Sequence, residues 1–199
     1  TVSATRSYVY DEYQRLCKTI EPESGATVRA YNSANLVEWT ASGQTLMSTT
    51  SCQQGSVPAN QKTSHQYDAR ERLLTTTYGD GSPNVERTYT ADGLLATISS
   101  DNSRWTTTYN KRRLSMSETL RLAGVDYPIG YTHSRNGHVA SMSYPDGTTV
   151  AYAPNALGEA TQVGDYASQI VTHPNGALAG FVYGNGITHT TEQNDRGLP

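Results

Sequence analysis

The chain has 199 residues, a formal net charge of −3 and an isoelectric point near 5.9. Its basic residues are scattered, and because phosphate binding needs clustered Lys and Arg, we expect no nucleic-acid partner. No run approaches the roughly 20 apolar residues of a membrane-spanning helix, and no N-terminal segment has the pattern of a signal peptide. We therefore expect no membrane span, and any export signal is expected to lie outside this chain or to be of another kind.

The composition favours strands and turns over helices. The chain contains 14 Tyr and 17 Gly but only one Phe, and it is rich in Thr. Thr and Tyr suit a pleated surface with one wet side, whereas Gly, Asn, Asp and Pro supply turns. The fold class is therefore predicted to be all-β, as a repetitive antiparallel meander without a thick aliphatic core.

The N-terminal third already shows a repeated unit. Tyr10 opens one unit and Tyr31 opens the next, 21 positions later. Residues 48–66 then fall out of phase, in a stretch rich in Ser, Thr, Gln and Asn, and we interpret them as a surface loop or an inserted hairpin. Because the repeat resumes at Tyr67, the prediction is one continuous segment over residues 1–199.

Two cysteines, Cys17 and Cys52, lie 35 positions apart within this third. Two cysteines allow one disulfide, but they are weak grounds for predicting it. We favour free or partly buried thiols, because nothing else in the sequence indicates an oxidising environment. The pair has too few ligands for a structural zinc site.

From residue 67 onward a tyrosine returns about every 21 residues, and glycines continue the period. A period of this size indicates small units that bury their apolar faces only against their neighbours. The predicted structural repeat positions are Tyr10, Tyr31, Tyr67, Tyr89, Tyr109, Tyr131, Tyr152, Gly81, Gly93, Gly137, Gly147, Gly158, Gly176, Gly186 and Gly197.

Each unit is predicted to contain a strand, a tight turn, a second strand and a longer turn. In the clearest unit, residues 138–144 and 148–152 alternate as strands around Pro145-Asp146-Gly147, and residues 159–163 start the next strand. The tight turn recurs at Gly81 and Gly186, and the longer turn at the remaining repeat glycines. Residues 118–123 are the one helix candidate, and they are very short for a helix.

The pattern Tyr67-Asp68-Ala69-Arg70-Glu71-Arg72-Leu73 resembles the YD repeat, whose core reads Tyr-Asp-x-x-Gly-Arg-Leu. Imperfect copies run from Tyr10-Asp11 to Arg15-Leu16 and from Tyr109-Asn110 to Arg113-Leu114. The resemblance to the RHS/YD-repeat family covers nearly the whole chain. The copies are degenerate, since Gln14, Glu71 and Arg113 stand where the family has Gly.

The resemblance implies a long β-sheet that spirals into a hollow shell. In that family the shell encloses a toxic C-terminal polypeptide in bacterial toxins, and animal teneurins use a similar shell in cell adhesion. It also implies that this chain is a piece of a larger protein, secreted from a bacterium or associated with its cell envelope, whose partners are the remainder of an RHS-type chain or its toxin cargo.

No constellation for catalysis or metal binding stands out from the sequence. His133 and His173 occupy similar places before Asn-Gly turns and could form a metal pair, but exposed turn residues are the favoured interpretation because no third ligand is in phase. Trp39 and Trp105 could form a sugar platform, although an internal aromatic ladder is favoured. The aspartates are interpreted as turn residues rather than calcium ligands, and they are Asp80, Asp92, Asp101, Asp146 and Asp195.

The sequence thus predicts a non-catalytic structural scaffold, a segment of a shell that encloses or presents a toxin or effector. The alternative is an adhesion module that binds a carbohydrate or a cell-surface protein. We expect no enzyme activity, no cofactor and no metal. Self-association through open sheet edges is also expected, because unpaired strands are templates for pairing.

Overall fold

The computed structural model describes residues 4–194 and 196–198, so Asp195 lies outside the described residues. Contacts within the chain divide it into two units, Thr1–Asp101 (unit 1) and Asn102–Pro199 (unit 2). Both are built from antiparallel strands that pair with their neighbours in sequence, which confirms the predicted all-β meander. Within the described residues, the helical elements are two three-residue turns, and no helix is long and apolar enough to cross a membrane.

Unit 1 is a meander of eight strands in which each strand pairs with the next. The strands are β1 (Ser7–Tyr10), β2 (Leu16–Glu21), β3 (Gly25–Tyr31), β4 (Val37–Gln44), β5 (Thr63–Tyr67), β6 (Leu73–Tyr78), β7 (Val85–Tyr89) and β8 (Leu95–Ser100). Two 3-10 turns, Gln54–Ser56 and Ala59–Gln61, lie between β4 and β5.

Unit 2 contains a five-strand meander followed by a three-strand meander. The strands are β9 (Ser103–Tyr109), β10 (Ser115–Leu122), β11 (Val125–His133), β12 (Val139–Ser143), β13 (Thr149–Ala151), β14 (Ala167–Thr172), β15 (Leu178–Tyr183) and β16 (Thr188–Thr190). The helix candidate at residues 118–123 is wrong, because residues 118–122 pair on both sides, with β9 and with β11.

The predicted strand at residues 159–163 is also wrong. Instead of forming a ladder, this segment turns across the outer edge of β13. The main-chain N–H of Thr161 donates to the carbonyl of Tyr152, and that of Gly164 donates to the carbonyl of Ala151. These bonds occupy part of the edge that the predicted strand would have paired with, and β14 begins only at Ala167.

The strands that carry the repeat tyrosines end on a shift of register. In each pair the last residue before the connecting loop lies opposite a residue six positions later, as Tyr67 lies opposite Leu73 and Tyr89 opposite Leu95. A β-bulge before the loop accounts for the shift, since one strand carries one extra residue there. The bulge fixes the loop length and thereby holds successive loops in the same relation to their strands.

The core of unit 1 is completed by the irregular segment between β4 and β5. Val57 of this segment packs on Val28 and Ala41 of the sheet, with Trp39 and Leu46 at the margin. The predicted insertion at residues 48–66 is therefore a loop with two 3-10 turns as far as residue 62, and its last residues already belong to β5. Because the sheet has few large aliphatic side chains, this cover supplies apolar burial that the strands lack.

Two further contacts attach the segment to β2. Cys17 and Cys52 form a disulfide, with their Cα atoms 5.5 Å apart, so the interpretation of free thiols is wrong. The insertion folds back over β2, which brings together two cysteines that are distant in sequence. Next to the disulfide, the buried Lys18 donates a 2.7 Å hydrogen bond from Nζ to Oε1 of Gln53, and burial lowers the pKa of its ammonium group.

Candidate functional site: the five-residue loops

One loop type recurs in both units. The N–H of its first residue donates to the carbonyl of the fifth, and the N–H of the fourth donates to the carbonyl of the first. The loops begin at Asp11, Asn32, Asp68, Thr90, Asn110, Ser134, Tyr144, Asn155, His173, Tyr183 and Asn194. The sequence separated Gly147 and Gly186 from the longer turns, but their loops have the same main-chain hydrogen bonds.

The fourth residue of the loop has a positive φ. This place holds Gly93, Gly137, Gly147, Gly158, Gly176, Gly186 and Gly197, with φ between 73° and 93°. In four other loops it holds Gln14, Asn35, Glu71 and Arg113, with φ between 60° and 66°. The degenerate copies therefore keep the glycine conformation without the glycine, at a cost in backbone strain. Gly81 also has a positive φ, in a turn closed by a 3.3 Å bond to Tyr78.

The side chain of the first loop residue accepts hydrogen bonds from main-chain N–H groups within the loop. Oδ1 of Asp68 accepts hydrogen bonds from the N–H groups of Arg70 and Arg72, at 2.8 and 3.0 Å. Asn110 and Asn155 accept the same pair of bonds, so an amide oxygen can replace the carboxylate. This capacity explains why Asp or Asn commonly follows the repeat tyrosine, since both side chains bond readily to the main chain two residues on.

An arginine in the fifth position converts two of these loops into charged clamps. Arg72 bonds Oδ2 of Asp68 through Nε at 2.7 Å, and Arg15 bonds Oδ2 of Asp11 at the same distance. Hydrogen bonds from the Arg72 side chain and main chain lower the pKa of Asp68 to about 2. Burial acts to raise the pKa of Asp11, but hydrogen bonds from Arg15 outweigh it and lower the pKa overall. Both oxygens of each carboxylate therefore accept hydrogen bonds within the loop.

The same arginines contact the tyrosine of the following repeat. The guanidinium carbon of Arg72 lies 4.3 Å from the ring centre of Tyr89, and that of Arg15 lies 4.9 Å from the ring centre of Tyr31. Both distances are within the range of cation–π attraction. Each clamp therefore joins an aspartate of one repeat to an aromatic ring of the next repeat.

Tyrosine hydroxyl groups form a second kind of bond between successive repeats of unit 1. Tyr31 donates to the carbonyl of Leu16 at 2.9 Å, and Tyr89 donates to the carbonyl of Leu73 at 2.8 Å. Tyr67 donates in the same way to the carbonyl of Val37, at 2.9 Å. In each case the acceptor is the first strand residue after the preceding loop. These three tyrosines contact the neighbouring repeat through a hydrogen bond from the hydroxyl to a carbonyl, rather than through stacked rings.

Neighbouring loops also bond directly along the sheet. Nη1 of Arg70 donates to the carbonyl of Ala91 at 3.0 Å in unit 1, and Nη1 of Arg112 donates to the carbonyl of Arg135 at 3.0 Å in unit 2. The loops thus form connected rows within each unit.

The structure does not place all the repeat tyrosines alike. Tyr10, Tyr31, Tyr67, Tyr89 and Tyr109 each come directly before a loop. In unit 2, His133 holds that position, and Tyr131 lies two residues earlier in β11. Tyr152 likewise lies two residues before Pro154, which precedes the loop that begins at Asn155.

The candidate histidines and tryptophans lie in different settings. His133 precedes a loop whereas His173 begins one, so the two are not equivalent, and Nε2 of His173 bonds the carbonyl of Thr191 at 2.9 Å. Trp39 has Nζ of Lys62 4.2 Å from its ring centre, and Trp105 lies in β9 opposite Leu120. Among the described residues no group of three or more His, Cys, Asp or Glu side chains is placed to hold a metal ion.

The clamps are the structural feature that the sequence interpretation missed. Their signal was present, because Asp and Arg stand four positions apart in both Asp11–Arg15 and Asp68–Arg72. The aromatic partner was not visible as a partner, since Tyr31 and Tyr89 lie more than a dozen positions further along the chain.

No protein-family model matches this sequence, and no curated protein matches it. Solved structures that it resembles include the Photorhabdus luminescens Tc holotoxin pore, at 13% identity and a TM-score of 0.41 over 96% of this chain. Two crystal structures of TcdB2–TccC3 proteins give 13% and 14% identity, with TM-scores of 0.43 and 0.44, over 98% and 96% of this chain. This chain spans 12% to 13% of the length of those chains. The function proposed below therefore rests on the loop and clamp geometry.

Proposed function

We propose that the chain is a non-catalytic structural scaffold, a wall segment of a larger RHS-type protein that encloses or presents an effector polypeptide. The observation that carries the proposal is the use of its polar side chains. The carboxylates of Asp11 and Asp68, the guanidinium groups of Arg15 and Arg72, and the hydroxyl of Tyr89 all bond within or between repeat units. Groups committed in this way stiffen a sheet and leave little for chemistry on a substrate.

The arrangement also suits a wall because the clamps and the tyrosine hydroxyl bonds join neighbouring repeats. Stability in such a protein is approximately a sum of unit and interface terms, so a row of clamps can extend over any number of units. The resemblance to YD repeats supports the same role, and it suggests a secreted or envelope-associated bacterial protein as the setting.

Protection of a polypeptide from proteolysis tests the scaffold role. In the protein encoded by the whole reading frame, the segment that follows the repeats should resist trypsin longer than the same segment expressed alone. The variant Asp68→Ala with Arg72→Ala should shorten the protection. A matched exposed pair, Asp126→Ala with Arg121→Ala, has its charges 3.7 Å apart and more than half exposed, and it should change little. Equal digestion of the enclosed and free segments would refute the proposal.

The surroundings of Trp39 do not favour the alternative of an adhesion module with a tryptophan sugar platform. The ring of Trp39 already contacts Lys62 and packs beside Val28, which leaves it poorly placed as an open sugar platform. A glycan array compared between the parent chain and Trp105→Ala would test the alternative directly.

A further inference from the structure

A cleft in unit 2 has a composition that the wall role does not require. It has a volume of about 610 Å³ and opens to solvent beside β13. Its lining comprises Tyr144, Pro145, Asp146, Thr148, Val150, Tyr152, Val163 and Tyr166. Three tyrosines, one carboxylate and several apolar groups therefore surround one space, which we call the tyrosine cleft.

The walls of the cleft are fixed by main-chain hydrogen bonds. The loop that begins at Tyr144 is closed by a 2.8 Å bond from its N–H to the carbonyl of Thr148. On the other side, the N–H of Tyr166 donates to the carbonyl of Val163 at 2.9 Å, and Gly164 bonds Ala151. Val150 is buried at the base, whereas Tyr166 is 65% exposed at the rim. The cleft is thus bordered on both sides by turns that main-chain hydrogen bonds close.

The charge of the cleft lining is negative. Residues 136–195 include five carboxylates and no Lys or Arg. Within the lining, Asp146 is the charged group, and its Oδ1 accepts a 2.8 Å bond from the N–H of Thr148. Hydrogen bonds from the Thr148 main chain and side chain favour the charged form of Asp146 and lower its pKa.

Three aromatic rings of unit 1 show how this chain pairs a ring with a cation. Arg72 lies over Tyr89, Arg15 lies over Tyr31, and the ammonium of Lys62 lies 4.2 Å from the ring centre of Trp39. No Lys, Arg or His lines the tyrosine cleft. Aromatic walls beside a carboxylate attract an organic cation through both the ring quadrupole and the opposite charge.

We propose that the tyrosine cleft binds the Lys or Arg side chain of an extended polypeptide segment. The cation would lie among the three rings near Asp146, and its aliphatic stem would contact Val150 and Val163. The insertion of unit 1 is the precedent for this occupant. There an irregular segment lies on the sheet, inserts Val57 and ends by placing Lys62 on Trp39.

The identity of the occupant as a polypeptide rests on the proposed wall function, whereas the cation preference rests on the cleft alone. A titration of the 199-residue chain separates the two. The probe is a capped hexapeptide, Gly-Ser-Arg-Val-Ser-Gly, and its matched control has citrulline, which is isosteric and uncharged, in place of Arg. Shifts of the Tyr144, Tyr152 and Tyr166 ring signals report binding by NMR.

We expect the Arg peptide to shift these signals and to bind at least about tenfold more tightly than the citrulline peptide. Asp146→Asn keeps the acceptor for the Thr148 N–H but removes the charge, and it should weaken binding by about threefold or more. Tyr166→Leu, at the exposed rim, should have a similar effect. Glu192→Gln removes one charge from the same acidic stretch outside the cleft, and it should leave the affinity unchanged.

Three outcomes would overturn the proposal. Equal binding of the Arg and citrulline peptides would remove the cation preference. Binding of tetramethylammonium without the Arg peptide would remove the polypeptide occupant. Binding of a neutral disaccharide such as maltose in place of the peptide would make the cleft a sugar site. Failure of the peptide titration leaves the protease-protection result intact, and the reverse also holds, so the two proposals can fail separately.

Discussion

The hydroxyl group of Tyr89 donates a 2.8 Å hydrogen bond to the main-chain carbonyl of Leu73, the first strand residue after the preceding loop. The ring of the same tyrosine lies under the guanidinium of Arg72, whose other bonds go to Asp68. One side chain thus joins two repeat units by two different interactions, which makes the contribution of each separable by mutation.

Tyr89→Phe should lower the free energy of unfolding by about 0.5–1.5 kcal/mol, because it removes the hydroxyl donor and leaves the part-buried carbonyl of Leu73 without that partner. The ring and its contact with Arg72 remain. Tyr8→Phe, at a tyrosine that is 55% exposed, is the matched control and should be neutral. Urea denaturation measures both, and equal stability of the two variants would contradict the assigned tie.

Glu71→Gly should stabilise unit 1 by about 0.5–1 kcal/mol, because Glu71 has a φ of 63°, where an L-residue is strained and glycine is not. Ala69→Gly, two positions earlier in the same loop and outside the positive-φ region, should destabilise through the added freedom of the unfolded chain. Thermal and urea denaturation of the pair checks the sign. A destabilising Glu71→Gly would mean that the side chain contributes more than its backbone strain costs.

Gly147→Val should destabilise unit 2 by about 1–3 kcal/mol. Gly147 has a φ of 85°, and an added Cβ would meet no atom within 4 Å, so the cost is backbone strain rather than a clash. Gly147→Ala and Gly55→Ala form a matched pair, because Gly55 has equally open space without a positive φ. Only the change at residue 147 should reduce the urea midpoint.

Asp68 should make stability depend on pH in the acidic range. Its pKa falls from 3.8 to about 2 on folding, so the stabilisation is present above the unfolded value and is lost as the pH falls through the folded value. Asp68→Asn retains an acceptor for the two main-chain N–H groups but loses the charge pair with Arg72. Urea midpoints between pH 4 and pH 2 should therefore fall less steeply in this variant than in the parent chain. Asp126→Asn, at an exposed pair, should preserve the parent slope.

Reduction of the Cys17–Cys52 disulfide should destabilise unit 1 by about 4 kcal/mol, from the loop-closure entropy of a 35-residue separation. It should also release the cover formed by Val57. Denaturation with and without dithiothreitol measures the loss, and hydrogen exchange at residues 48–62 locates it. An unchanged exchange rate in that segment would show that Val57 and the Lys18–Gln53 bond hold the cover without the disulfide.

The sequence by itself determined the strands and where most of them turn. Alternating side chains around Pro145-Asp146-Gly147 predicted β12 and β13, and the tyrosine period predicted a meander that the structure confirms. These features are local, since alternation and turn chemistry act over a few residues. The same local reasoning failed at residues 118–123, because helix-forming residues there are overridden by pairing on both sides.

Only the tertiary structure decided which residues of different repeats contact one another. The disulfide, the Arg72–Tyr89 contact and the cover provided by Val57 each join segments more than a dozen residues apart, through the register of strands between them. A bulge of one residue sets that register, and an alternating pattern does not reveal a bulge. The equivalence of His133 with the repeat tyrosines therefore became visible only once the strands were paired.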